Sequence, residues 1–213
     1  MTKGKMKIGE ISKPRFEFRT FGIDLSETTA RMVELSMPVP EHVKVRHSDE
    51  VYVISKTNDT NNTKIRDGKM DIKTFVQSKD GLEQWNPHMK GEFPIRREIL
   101  KTNVFPAFQV TMPELSQDEY TLEEFLEIIN IHLELRSMSV KKERFGYMVN
   151  DTICEVANVV IDNTTVTTIS TESTEIPDIL QTIEDVGLRV FENINYLQAI
   201  KRIIGWINKP LAN

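Results

Sequence analysis

The chain has 213 residues, 39% of them hydrophobic and 28% charged, and a formal net charge of −5. This length is most simply one large domain with a real core, and the acidic balance excludes a general nucleic-acid or membrane-surface binder while leaving room for a local basic site. The lone cysteine, Cys154, excludes an intramolecular disulfide and a thiolate metal cluster; no apolar run approaches the roughly 20 residues of a membrane span; and the basic start over residues 1–7 leads into no hydrophobic signal region, which points to a cytoplasmic protein.

Residues 14–22 alternate and are rich in aromatics, the pattern of a strand. Ser26 is placed to cap a short helix over 27–36 with Ala30, Val33 and Met37 inward, stopped by Pro38 and Pro40. The β-formers of 42–57 are interrupted by His47-Ser48-Asp49, and Asp59-Thr60-Asn61-Asn62 has the composition of a turn. Residues 63–77 then form a hairpin about Asp67-Gly68. Residues 85–94, with Pro87 and Pro94, suggest a loop or ragged hairpin, and propensity alone leaves 95–101 open between helix and strand. The clearest helix is 121–135: Thr121 and Glu124 make a capping box, and Leu122, Phe125, Ile128, Ile129 and His132 or Leu133 share a face. A meander follows over 138–149, 152–161 and 165–173, with turns at Asn150-Asp151 and Asp162-Asn163. Helices over 177–190, opening at Pro177, and 194–207, with a stripe of Ile194, Leu197, Ile200, Ile203 and Ile204, end the chain. About eight strands in antiparallel groups separated by helices predict a single α+β domain, residues 1–213, built round a barrel-like sheet.

Charge recurs at i and i+2 in the strand-like segments, which puts it on one face of each: Arg15, Glu17 and Arg19; Lys64 and Arg66; Asp71 and Lys73; Arg96 and Glu98; Lys142 and Arg144. Charges cannot sit unpaired in a dry barrel. They can line a wet tunnel that holds a polyanion, arginine by two-point contacts and lysine as a point charge, with carboxylates at the same level holding Mg²⁺ or Mn²⁺. The plainer alternatives are a solvated strand face for Lys142 and Arg144 and a cross-strand ion-pair ladder for Arg15, Glu17 and Arg19. Cys154 fits a small buried apolar position, Trp85 and Trp206 fit packing anchors, and His42, His47, His88 and His132 lack ligand spacing.

In their order, these segments resemble the CYTH, or triphosphate tunnel metalloenzyme, superfamily, which includes class IV adenylate cyclases, thiamine triphosphatases, tripolyphosphatases and RNA triphosphatases. Arg15-Phe16-Glu17-Phe18-Arg19 stands where the family has E-x-E-x-K, and Thr63-Lys64-Ile65-Arg66 is similar to its L-R-x-R strand. Met70-Asp71-Ile72-Lys73 resembles the strand ending in Lys, and Arg96-Arg97-Glu98 resembles an R-x-E strand, which favours strand over 95–101. Lys142, Arg144 and Tyr147 match K-x-R-x-x-Y, and Asn195-Tyr196 matches the start of the final helix. The resemblance spans about residues 12–205. It implies an eight-stranded antiparallel tunnel with helices outside, and phosphate binding by Arg15, Arg19, Lys64, Arg66, Lys73, Arg96, Lys142 and Arg144. The implied ligand is a small-molecule triphosphate or polyphosphate, or an RNA 5′ end. One Mg²⁺ or Mn²⁺ would be held by Glu17, Glu98 and Glu172, with Glu155 as a substitute carboxylate.

The chain also departs from the family. Arg15 reverses the charge of the first family glutamate, the last strand keeps only Glu172 of an E-x-E pair, and Tyr52-Val53-Ile54-Ser55 has Ile where the family has Asp. The cationic half of the pattern is therefore better kept than the acidic half. A metal-dependent triphosphatase stands against an anion-binding module without turnover, and against a structural or partner-binding protein closed by ion pairs such as Arg15 with Glu172.

Overall fold

A computed structural model describes residues 7–8 and 13–211; residues 1–6, most of the basic start, lie outside the described residues. In chain order the elements begin with β1 (Lys7–Ile8), β2 (Arg15–Gly22), α1 (Ser26–Leu35), α2 (Glu41–Lys44), β3 (Val45–Ser55), β4 (Asn61–Arg66), β5 (Lys69–Lys79) and β6 (Leu82–Glu92). Next come β7 (Ile95–Arg96), α3 (Arg97–Ile99), a π-helical turn (Leu100–Val104), α4 (Phe105–Phe108), β8 (Glu119–Tyr120) and α5 (Leu122–Ile131). The chain ends with β9 (Leu135–Val149), β10 (Thr152–Ile161), β11 (Thr164–Ser173), α6 (Ile176–Val186), a 3₁₀ turn (Leu188–Val190) and α7 (Tyr196–Ile203). Strands pair in the order β1-β6-β2-β11-β10-β9-β3-β4-β5, and β5 also pairs with β6. The eight long strands thus close an antiparallel barrel with no free edge among them, and the class is α+β, as expected. Among the described residues, no helix is long and apolar enough to cross a membrane.

Closure rests on tight hairpins. Asp67 and Gly68 sit at φ 51° and 67°, Asp80 and Gly81 at 53° and 78°, and Asn150 and Asp151 at 48° and 57°. Left-handed conformation at both central residues matches the twist of the flanking strands. The Asp80-Gly81 turn leads into β6, which runs straight through Pro87 where the sequence suggested a loop or ragged hairpin.

By their contacts the described residues divide into two compact units: residues 7–8, 50–75 and 86–139, and residues 13–49, 76–85 and 140–211. In the first unit Val53, Ile65, Met70, Ile72 and Met89 form the apolar sheet face, packed with Leu100, Val104, Phe105, Phe108, Phe125 and Ile129. That burial decides residues 95–101. The chain leaves β7 at Arg96 and is helical from Arg97 to Phe108, because Leu100, Val104, Phe105 and Phe108 line one helical face in the core. The strand expected there is two residues long and pairs with β8, outside the barrel sheet. In α5 the capping box forms as expected, with Thr121 Oγ1 accepting from Glu124 N and Glu124 Oε2 accepting from Thr121 N. The helix stops at Ile131 and not at 135. His132 Nδ1 accepts from Glu134 N, and Leu133 is 88% exposed.

In the second unit Phe16, Phe18, Leu82, Cys154, Val156 and Ile169 form the apolar sheet face, covered by Leu25 and Met32 at α1 and by Ile179, Ile183 and Val186 of α6. The inward face of α1 differs from expectation. Leu25, Thr28 and Met32 are buried at i, i+3 and i+7, while Ala30, Val33 and Met37 are exposed. Leu25 takes the N-cap position with no side-chain cap, in place of Ser26, and Asp24 Oδ1 accepts from Ser26 N just before the helix. Cys154 is buried, as expected, and burial pushes its thiol up to about 11. On β9, Gly146 lies so close to α2 that a Cβ would collide with the Val43 carbonyl oxygen. Gly146→Ala is therefore expected to destabilise the protein by about 1–3 kcal/mol in urea titration, and Thr121→Ala by about 1 kcal/mol through loss of the cap.

Candidate functional site

With the apolar residues of the second unit on the helix-covered face, strand alternation turns the intervening residues to the opposite, barrel-side face. Register then determines what meets what. Glu83 of β6 lies directly opposite Glu17 of β2, and Glu17 directly opposite Glu172 of β11, which makes a row of carboxylates across three strands. In the next row Arg19 opposes Ser170, Ser170 opposes Glu155, and Glu155 opposes Gly146. Beyond that, Arg144 opposes Ala157 and Lys142 opposes Val159. The residues expected from sequence in this unit (Arg15, Glu17, Arg19, Lys142, Arg144, Glu155 and Glu172) therefore share one face.

Ion pairs run across this face. Arg19 Nε donates to Glu17 Oε1 at 2.6 Å and Nη1 donates to Thr168 Oγ1 at 3.3 Å. Arg15 Nη1 donates to Glu172 Oε1 at 3.1 Å. Glu155 Oε2 accepts from Arg46 Nη2 at 3.0 Å and lies 3.8 Å from Arg144 Nη1. Lys142 is 6% exposed and its Nζ sits 3.8 Å from the centroid of the Tyr196 ring; the same ring lies 5.0 Å from Arg19 Cζ. An aromatic face holding two cations in a desolvated setting contributes on the order of 1–2 kcal/mol per contact. Burial works against the charge on Arg19, but Glu17, then Tyr196 and Glu155, outweigh it and raise its pKa above the ordinary guanidinium value.

The start of α7 is built into this face. Beyond Glu17 the β2 ladder is continued by residues 193–194: Arg19 N donates to Asn193 Oδ1 at 2.9 Å and Ile194 N to Arg19 O at 2.6 Å. Asn195 caps α7 by accepting from Gln198 N, and its Nδ2 donates to both oxygens of Glu83 at 3.2 and 3.1 Å. Trp85 Nε1 donates to Glu83 Oε2 at 3.0 Å. Burial raises the pKa of Glu83, against the Asn195 and Trp85 hydrogen bonds, and the facing charge of Glu17 adds to the rise. Sequence reasoning missed Glu83 and Arg46. Glu83 is a lone charge with no charged neighbour two residues away, and Pro87 and Pro94 mark the segment after it as irregular.

The first unit repeats the arrangement with its own strands. Glu50 opposes Arg66, Lys64 opposes Asp71, and Asn62 opposes Lys73, all on the face away from that unit's core. Glu50 is buried, with Arg66 Nη1 at 3.4 Å and Lys64 Nζ at 3.9 Å from its Oε1. Burial lowers the pKa of Lys64, Glu50 opposes the change, and Lys73 adds to the lowering. A cavity of about 430 Å³ is lined by Lys64, Arg66, Lys69, Asp71, Lys90 and Glu92. Arg96 and Glu98 are exposed, on β7 and α3 and outside the barrel sheet, so the R-x-E strand expected of them does not form.

The residues do not fit Mg²⁺ or Mn²⁺. Among the described residues, no group of three or more His, Cys, Asp or Glu side chains could hold a metal ion. Glu17, Glu172 and Glu155 are each engaged by a guanidinium group, and Glu98 faces solvent on a helical turn. Of the ligand set Glu17, Glu98 and Glu172 expected from the resemblance, Glu17 and Glu172 are neighbours, each bound to an arginine, and Glu98 is not on a barrel strand.

The closed antiparallel barrel, with helices packed against its strands, is the architecture expected from the order of the sequence motifs. No family model matches the chain, and no curated protein matches it. Among solved structures the chain is similar to a candidate adenylate cyclase from Bacillus halodurans, at 11% identity over 88% of this chain and 98% of that one, with a TM-score of 0.49. It is also similar to a candidate adenylyl cyclase from Hippeastrum with a dominant triphosphatase activity, at 10% identity over 90% and 96% of the two chains, TM-score 0.44. The RNA triphosphatase domain of the mimivirus mRNA capping enzyme is similar at 11% identity over 83% and 90%, TM-score 0.43.

The raised pKa of Glu83 has a measurable consequence. The folded state favours its protonated form, so this contribution to stability is full below the ordinary carboxylate pKa and is lost as pH rises through the raised value. As pH is raised from about 4 to about 7, the melting temperature of the wild type should fall relative to that of Glu83→Gln. Parallel melting curves across that range would exclude burial of Glu83 as the cause.

Proposed function

We propose that the chain binds a polyanion of the triphosphate or polyphosphate class through the cationic side chains on the barrel-side face of its strands, as a binding module without metal-dependent turnover. The observation that carries this is Lys142, 6% exposed on a barrel strand of an acidic protein, with Arg15, Arg19, Arg46 and Arg144 on the same side of the sheet. Barrel interiors of this size are ordinarily filled by packed side chains. Desolvating several cations is costly unless something negative is gained in return.

The carboxylates that compensate these cations differ in how firmly they hold. Arg15 and Glu172 are 49% and 30% exposed, and a surface pair of this kind contributes only about 0–1 kcal/mol. A phosphate oxygen can therefore take over Arg15 at little cost. Arg19 is 13% exposed and bound to Glu17 at 2.6 Å, so it acts as a fixed positive centre. Lys142 supplies a point charge and Arg144 a planar donor set, the two modes by which proteins hold phosphate. In the first unit Lys64, Arg66 and Lys73 carry the same proposal, beside a cavity within the range of roughly 300–1,000 Å³ usual for small-molecule sites. A cytoplasmic protein meets such ligands as free nucleoside triphosphates, inorganic polyphosphate and triphosphate-ended RNA.

Calorimetric titration of tripolyphosphate at low salt should show binding that weakens as salt is raised. Lys142→Ala and Arg144→Ala should each weaken it about 10- to 100-fold, the value of one charge-assisted contact of about 1.5–3 kcal/mol. Undiminished affinity in both variants would remove the proposal. Phosphate release that requires Mg²⁺ and disappears in Glu17→Gln would replace it with a metal-dependent hydrolase.

A further inference from the structure

We propose that Arg15 and Arg19 stand in for a divalent cation on the Glu83–Glu17–Glu172 row, so that this face takes its polyanion in the metal-free form and not as a magnesium complex. The inference rests on the polyanion-binding function above and specifies the ligand species. Carboxylates directly opposite one another on adjacent antiparallel strands have Cβ atoms only about 4.5–5.5 Å apart, and like charges at that spacing repel. Such a row needs a cation between its members and the ligand. Hard divalent ions serve that purpose in proteins because each bridges several oxygens at once.

Here the position is already filled from within the chain. Arg19 Nε is 2.6 Å from Glu17 Oε1, and Arg15 Nη1 is 3.1 Å from Glu172 Oε1. Glu83 receives hydrogen bonds from Trp85 Nε1 and Asn195 Nδ2. A guanidinium group carries five N–H donors in a fixed fork. One edge can hold a carboxylate while the remaining donors turn to a phosphate oxygen, which is the bridging geometry a metal provides. Arg15, with 49% of its side chain exposed, keeps donors available for that purpose. Arg19 is held by Glu17, by Thr168 Oγ1 and over the Tyr196 ring, so an entering divalent ion would meet a fixed positive charge on the carboxylate it needs. A magnesium–triphosphate complex brings two further positive charges to this already compensated row. The free phosphate chain brings none and gains both arginines.

Two measurements test this, one of which needs no polyanion. Mn²⁺ is titrated into the protein alone and followed by the electron paramagnetic resonance of the free ion, for the wild type and Arg15→Glu. The expected result is no uptake by the wild type and one new site in Arg15→Glu; Arg15→Ala, read the same way, replaces it if Arg15→Glu does not fold. Equal uptake by the two proteins, whether present or absent, overturns the inference. Tripolyphosphate is then titrated into the wild type in EDTA and in excess Mg²⁺. Binding in EDTA that weakens at least about tenfold in Mg²⁺ supports the inference, because the magnesium complex withdraws the free chain. Binding only in Mg²⁺ overturns the inference and leaves the polyanion function intact. Absence of binding in both conditions removes the polyanion function, and the inference about the arginines is then decided by the Mn²⁺ titration alone.

Discussion

Charge on the inside of a barrel has to be neutralised where it stands, and the rest of this structure follows from that constraint. Burial lowers the effective dielectric, so an ionised side chain withdrawn from solvent needs a partner within a few ångströms. On the second unit's face Glu17 has Arg19, Glu172 has Arg15, and Glu155 has Arg46 and Arg144. On the first unit's face Glu50 serves Lys64 and Arg66 together. In each unit the apolar alternation of the same strands is spent on the helix-covered side. Much of the hydrocarbon thus lies outside against helices, and the ionic pairs share the inner face with Phe21, Ala157 and Val159.

An aromatic ring adds to what the charged partners supply. Lys142 and Arg19 both lie against Tyr196, and Phe21 meets the same ring edge-on with centroids 5.0 Å apart. Tyr196 belongs to α7, the last helix of the chain. The electrostatics of strands near the N-terminus and in the middle of the sequence thus depend on a residue that folds into place from the C-terminal end. The bonds of Asn193 and Ile194 to Arg19, where β6 no longer pairs with β2, fix that dependence at the backbone level.

Period-two charge along Arg15-Glu17-Arg19, Lys64-Arg66 and Lys142-Arg144 was legible before any coordinate, because alternation on a strand is a local property of the chain. The Asp67-Gly68 turn and the Thr121–Glu124 capping box were legible for the same reason. What local pattern could not convey was cross-strand register. Nothing in the sequence says that Glu83, Glu17 and Glu172 fall in one row, since these positions become neighbours only when β6, β2 and β11 pair. Arg96 and Glu98 show the opposite failure. Their spacing imitates the charged strands, yet the burial of Leu100, Val104, Phe105 and Phe108 draws the segment into a helix, and tertiary packing overrides a two-residue pattern. The face of α1 was misplaced because Leu25, before the helix proper, sets the rotation by being buried itself.

The side chain of Asn195 performs two tasks with two different atoms: its oxygen starts α7 and its nitrogen holds Glu83. Several residues can begin a helix, serine, threonine and aspartate among them. An aspartate here would set a second negative charge against Glu83, and serine or threonine would offer a hydroxyl too short to span the gap. The alphabet open to this position is thereby reduced from the helix-capping set to a single amide, and the residue at 195 is chosen as much by β6 as by the helix it begins.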